Sequence, residues 1–118
     1  MKWNIRFYSK TKKELKALDK SVSSQIMHKI SQVLENPLPF TEGGYGEPLG
    51  NKAGISLAGF NKIKHRGLGM RTVYKLYRED DEMYVIVISA RDDMQVYKIA
   101  ESRLSDAEKE RRQSADIT

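Results

Sequence analysis

From Lys2 to Tyr8 apolar and polar residues alternate, with Trp3, Ile5 and Phe7 on one face and Lys2, Asn4 and Arg6 on the other. This is the pattern of a half-buried strand. After Ser9 the period changes. Leu15, Leu18, Val22, Ile26, Ile30, Val33 and Leu34 recur at three- and four-residue spacings that gather them on one side of a helix. Ser21 is placed to cap a second helix, so the segment is expected to form a helical hairpin. Asn36-Pro37 ends it, because proline lacks a donor and biases the residue before it away from helix. The stretch PLPFTEGGYGEPLGNKAG has no sustained period and is rich in Gly and Pro. It is expected to be a long surface connection and a mobile lip beside a site.

Three strand patterns follow, at Gly59 to Arg66, Met70 to Glu79 and Met83 to Ala90. Gly67 and Gly69 offer a turn between the first two, and Glu79-Asp80-Asp81-Glu82 offers one between the next two, giving an antiparallel meander. The apolar run YVIVI in the last strand implies burial on both faces and a central place in the sheet. Beyond Tyr97 a short strand or helical turn is expected. Ser105-Asp106-Ala107-Glu108 then matches a capping box opening a polar helix with little to bury, expected to be mobile or partner-dependent. The expected fold is α+β: an N-terminal strand, a helical hairpin, an antiparallel three-stranded meander and a short C-terminal helix. Residues 1–104 form the single domain in this reading, and 105–118 a polar helix or tail.

At 118 residues the chain matches one ordinary domain. Charged residues make up 31% and the net charge is +5, which favours polyanionic or acidic partners. Cysteine is absent, which removes disulfides, thiolate nucleophiles and zinc–cysteine sites. The N-terminal residues turn polar too early for a signal peptide and no apolar run approaches a membrane span, so a cytoplasmic protein without membrane association is expected. The carboxylates Glu79 to Glu82 diverge in a tight turn and read as solvated, so no metal is expected. The glycines of EGGYGEPLG lack the strand and helix context of a nucleotide-binding loop, so no cofactor is expected either. Lys10, Lys12, Lys13, Lys16 and Lys20 crowd the first helix, as a solvated face or as a surface for docking on ribosomal RNA.

The stretch KIKHRGLGMRTVYKLYR carries six Lys or Arg residues and no acid. Alternation puts Lys62, Lys64 and Arg66 on one face and Ile63 and His65 on the other. His65 therefore reads as structural. Arg71 joins the basic face if it lies across the turn on the same side. Crowded cations lower one another's proton affinity, so a lysine of this set is expected to be partly neutral and able to take a proton. The remaining cations would hold a phosphate and its developing charge. A merely solvated charged face is the competing reading.

The order LAGFNKIKHRGLGMRTVYKLY, then YVIVISARDDMQVYKIAESRL, resembles the RelE branch of the RelE/ParE toxin superfamily, from about Trp3 to Leu104. The most specific parts are the Lys-Ile-Lys pair, Gly-Met-Arg-Thr-Val-Tyr, and the arginine followed by Val-Tyr. Glu47-Pro48-Leu49 and Leu57-x-Gly59 resemble the family's approach to the first of these strands. The resemblance implies the toxin of a type II toxin–antitoxin system, a ribosome-dependent endoribonuclease that cleaves mRNA in the A site by metal-independent 2′-hydroxyl attack. It further implies that Lys62 and Lys64 form the basic pair, one of them the general base, and that Arg71 clamps the phosphate. Arg91 would protonate or stabilise the leaving 5′-oxygen, and Tyr97 would stack on or orient the nucleotide. Arg66 and Lys75 are expected as RNA contacts. Implied partners are a cognate antitoxin, the 70S ribosome with its mRNA and, through the antitoxin, operator DNA. One departure is the linker between the last strand and Val96-Tyr97, which is shorter than in the best-known members. A ParE-like toxin acting on DNA gyrase and an inactive antitoxin-binding corepressor are the alternatives.

Overall fold

In the computed structural model, which describes residues 2–52 and 55–116, the expected elements form around one sheet. The chain runs β1 (Asn4–Phe7), α1 (Ser9–Lys16), α2 (Lys20–Leu34), β2 (Glu47–Lys52), β3 (Ile55–His65), β4 (Met70–Tyr77), β5 (Glu82–Ser89) and α3 (Asp93–Asp116). The strands lie in the order β1-β5-β4-β3-β2. β1 pairs in parallel with β5, and the other neighbours are antiparallel. The α+β class and the meander are as the periodicity predicts.

The sheet is covered on both faces, which explains why β5 is apolar throughout. Met83, Val85 and Ile88 pack with Ile26, Ile30 and Val33 of α2. Tyr84, Ile86 and Val87 pack with Val96, Tyr97, Ala100 and Ala107 of α3. β5 is an interior strand, although β4 holds the middle of the sheet. Trp3, Ile5 and Phe7 turn toward the α2 side, as their alternation requires.

Four expectations are corrected. Helix α2 starts one residue before Ser21, after Asp19, and Ser21 is an exposed residue of its first turn. The Gly- and Pro-rich connection contains a strand: β2 pairs with β3 along the edge of the sheet, where Pro48 is tolerated because an edge strand need not donate on both sides. The part of that connection at residues 53–54 lies outside the described residues. The connection is also not a loose lip. Backbone bonds from Tyr45 to Asn36 (2.9 Å), Gly46 to Leu38 (2.9 Å) and Phe40 to Gly46 (2.7 Å) fold it back on itself.

The fourth correction concerns the C-terminal segment. Tyr97 lies in a helix, and α3 runs unbroken through residues 104 and 105 to Asp116. Ser105-Asp106-Ala107-Glu108 is mid-helix. The start is Asp92, whose carbonyl accepts from Val96 and whose carboxylate accepts the Gln95 backbone N–H at 3.0 Å. The helix is also anchored along its length. Ala107 is fully buried, Glu108 accepts from the Tyr77 hydroxyl at 2.7 Å and from Lys75 at 3.3 Å, and Arg111 pairs with Glu82 at 2.6 Å. The acidic turn before β5 thus serves as the docking point for Arg111. Among the described residues no helix is long and apolar enough to cross a membrane.

Candidate active site

The pairing of β3 with β4 sets the basic row. Lys64 lies opposite Arg71, Lys62 opposite Val73 and Phe60 opposite Lys75. Directly opposed residues share a face, so Lys62, Lys64 and Arg71 all stand on the α3 side of the sheet. Ile63 packs on the α2 side. His65 is buried there, its Nε2 2.7 Å from the Thr72 hydroxyl. Burial, assisted by the Lys29 charge, lowers its pKa to about 4, which makes it a neutral structural residue at pH 7.

Residues beyond the hairpin complete the cluster. Because Asp92 opens α3 at the end of β5, the first helical turn is set against the basic row. Asp93 and Tyr97 are four apart and so share one helix face. The Lys62 ammonium donates to the Tyr97 hydroxyl at 3.0 Å and to Asp93 Oδ2 at 3.2 Å, and it pairs with Glu47 of β2 at 3.2 Å. Arg71 Nε donates to the other Asp93 oxygen, and its Nη1 donates to the Arg91 carbonyl at 2.9 Å. One carboxylate therefore holds both Lys62 and Arg71.

This arrangement divides the two lysines. Burial works against the charge on Lys62, but Tyr97, Asp93 and Glu47 outweigh it and hold the ammonium above the ordinary lysine range. Lys62 is thus firmly cationic, contrary to the partial neutrality expected of a crowded lysine. Lys64 is exposed and makes no ion pair among the described residues. The Asp93 carboxyl feels burial in one direction and Lys62 and Arg71 in the other, and the cations prevail: it stays below the usual carboxylate range.

The other expected residues are distributed unevenly. The Tyr97 ring is only 3% exposed, with Lys62 over it at 5.7 Å, so it offers no free face for stacking on a nucleotide. Its hydroxyl positions Lys62 instead. Arg91 is exposed and donates to Gln95 at 3.3 Å, while its backbone carbonyl supports Arg71. Arg66 is exposed at the end of the row. Lys75 stands apart: it pairs with Glu108 and lies over the Phe60 and Tyr77 rings, beneath α3, where it is a docking residue and not an open RNA contact.

Sequence reading missed three contributors. Glu47 and Asp93 are remote in sequence from the lysine they neutralise, and only the fold brings them to it. The third is Tyr45, which borders an open cleft of about 460 Å³ between the end of α2 and β3, shared with Lys29, Lys62, Lys64 and Arg66.

Comparisons with known proteins bear on the chain as a whole. No family model matches the chain. An Escherichia coli protein, described provisionally as a RelE-like toxin, is 28% identical over 104 residues, covering 88% of this chain and 99% of that protein. A double-arginine mutant of E. coli RelE in the free state superposes with a TM-score of 0.67 at 27% identity, covering 87% of this chain and 98% of RelE. In both sequence and fold the chain is similar to RelE-like toxins. E. coli RelE within the intact RelBE toxin–antitoxin complex matches this chain with a TM-score of 0.59 at 26% identity, over 76% of this chain and 98% of RelE. The similarity in fold thus extends over most of this chain.

Proposed function

We propose that the protein is the toxin of a toxin–antitoxin pair and acts as an endoribonuclease that cleaves mRNA in the ribosomal A site. The observation that carries this reading is the convergence of Lys62, Lys64 and Arg71 on one sheet face, with Lys62 held charged and Lys64 left without a counter-ion among the described residues. In this scheme the RNA 2′-oxygen attacks the adjacent phosphorus, and the bond from phosphorus to the 5′-oxygen breaks. The products are a 2′,3′-cyclic phosphate and a free 5′-hydroxyl. Lys64 is the residue that takes the 2′-hydroxyl proton. Lys62 and Arg71 stabilise the charge that accumulates on the phosphoryl oxygens. Arg91, on the exposed turn beside Arg71, supports the leaving 5′-oxygen, which takes its proton from water to become the 5′-hydroxyl. Tyr97 and Asp93 position Lys62 and Arg71. No metal enters this scheme.

The partner in this reading is an antitoxin, supported by the likeness to RelE bound to RelB, and the ribosome with its mRNA is the site of action. Operator DNA is reached through the antitoxin. Expression of the wild-type chain should arrest growth and leave breaks within translated codons, mapped by primer extension. Lys64→Ala and Arg71→Ala should each reduce cleavage by roughly 10²- to 10⁴-fold. Growth arrest without mRNA breaks would overturn the proposal, and inhibition of gyrase supercoiling by the purified protein would replace it with the ParE-like reading.

A further inference from the structure

The cleft beside the basic row carries Tyr45, Lys29 and Arg66, which the cleavage scheme does not use. Tyr45 is 65% exposed, unusual for so large a ring, yet the loop that carries it is tightly fixed. Gly44 and Gly46 allow this. A Cβ on Gly44 would run into the Leu38 carbonyl, and one on Gly46 into the Tyr74 hydroxyl, so the loop backbone lies directly against its neighbours. With the backbone bonds to Asn36, Leu38 and Pro39, this sets Tyr45 outward on a rigid support. The cleft wall also carries Lys29, Lys64 and Arg66, none of which forms an ion pair among the described residues. Of the two acids at the cleft, Glu47 is neutralised by Lys62, which leaves Glu35 against three cations.

We infer that Tyr45 is a stacking platform for an unpaired base of the RNA strand, with Lys29 and Arg66 holding the flanking phosphates. A fixed aromatic beside a cationic groove is the general means of binding single-stranded nucleic acid, because every base has a π-face and every linkage a phosphate. Continuity singles out RNA as the occupant: Lys64 belongs both to the proposed cleavage row and to the cleft wall, so a strand whose scissile phosphate lies at Lys64 and Arg71 leads directly into the cleft. This inference rests on the endoribonuclease reading for the direction of the strand, and its test is a binding measurement that needs no cleavage.

A short single-stranded RNA blocked at every 2′-position by O-methylation is titrated against the full chain, its Tyr45→Ala and Tyr45→Phe variants, and an Arg66→Ala variant, over a range of salt. Tyr45→Ala should weaken binding by roughly 5- to 150-fold with no change in salt slope, because stacking involves no phosphate. Tyr45→Phe should bind like wild type. Arg66→Ala should instead flatten the salt slope by about 0.7. Equal binding by wild type and Tyr45→Ala overturns the inference, as does a Tyr45→Ala defect confined to association with the antitoxin. If Tyr45→Ala weakens RNA binding while wild type leaves translated mRNA intact, the platform stands and the nuclease reading falls.

Discussion

Replacing Asp93 with asparagine keeps the size of the side chain and removes the one negative charge that Lys62 and Arg71 share. Both partners are only partly exposed, Lys62 at 12% and Arg71 at 25% of their side chains, against 34% for Asp93. At 4 Å the Coulomb attraction of one such pair is about 4 kcal/mol at an effective dielectric of about 20 and about 1 kcal/mol in water. Desolvation of both partners and the exposure of Asp93 reduce the net value, and the amide still accepts one bond. A loss of about 1–2 kcal/mol at pH 7 follows, a fall in Tm of roughly 4–8 °C for a domain of this size. The pH dependence identifies the charge as the cause. The Asp93 carboxyl is held below its unfolded value, so its stabilisation is complete above the unfolded pKa and disappears as pH falls through the folded one. Urea unfolding of wild type and Asp93→Asn should therefore differ near neutrality and converge as pH falls below the ordinary carboxylate range. The same substitution should tighten binding of a blocked RNA by roughly 3- to 10-fold, since a phosphate no longer competes with the carboxylate for Lys62 and Arg71. Unchanged stability near neutrality would show that the carboxylate does not hold the pair. Weaker RNA binding would show that holding the cations in place outweighs the charge removed. Either result refutes the reasoning.

Other perturbations separate structural from chemical roles. Lys62→Ala should lower stability by about 1–3 kcal/mol, because it leaves Asp93 with Arg71 alone and Glu47 without its partner, whereas Lys64→Ala should leave urea unfolding within about 0.5 kcal/mol of wild type while reducing cleavage by roughly 10²- to 10⁴-fold. His65, neutral in the fold with a pKa of about 4 and charged in the unfolded chain below about 6.5, should contribute stability that is complete above pH 6.5 and lost as pH falls toward 4, a span of roughly 3 kcal/mol. In a His65→Asn variant the unfolding free energy should be correspondingly flatter across that window. Ala107→Leu should destabilise by about 1–3 kcal/mol, read by thermal melting, because no space remains between α3 and the sheet at a fully buried alanine.

Elements with a strong period were legible in the sequence: β1, the α1–α2 hairpin and the three strands of the meander each bury a regular set of side chains. Strand β2 was not legible, because in EPLGNK only Leu49 is a buried apolar residue, and an edge strand can carry Pro and Gly that would disrupt an interior one. The start of α3 had a readable signal in Asp92-x-x-Gln95, followed by Val96, Ala100, Leu104 and Ala107 at helical spacing. The four-residue capping pattern at Ser105 to Glu108 competed with it, and such a short pattern recurs inside helices. In the candidate site, alternation alone placed Lys62 and Lys64 on a face with His65 opposite, and the β3–β4 register added Arg71 to it. Their proton affinities were not accessible that way. The mutual repulsion of neighbouring lysines is a local property, while Asp93, 31 residues from Lys62, is brought to it only by the fold.

Helix α3 links the chemistry of the site to the stability of the domain. Two of the three groups that hold Lys62 charged, Asp93 and Tyr97, lie on the first turns of this helix, and the third, Glu47, lies on an edge strand. The helix is secured well beyond the site. Arg103 bridges to both oxygens of Glu14 at 3.0 and 2.9 Å and to the Ile86 carbonyl at 2.9 Å, and Arg111 stacks on the Tyr77 ring at 3.8 Å. From Asp93 to Glu108 the helix rises about 22 Å, so these anchors act on Lys62 through a rigid rod and not through direct contact. If the anchors release, Asp93 and Tyr97 leave together, since one helix face carries both. Lys62 and Arg71 would then lose their shared carboxylate in the same event, and Lys62 would revert toward the crowded, less firmly protonated state that the sequence pattern alone suggests.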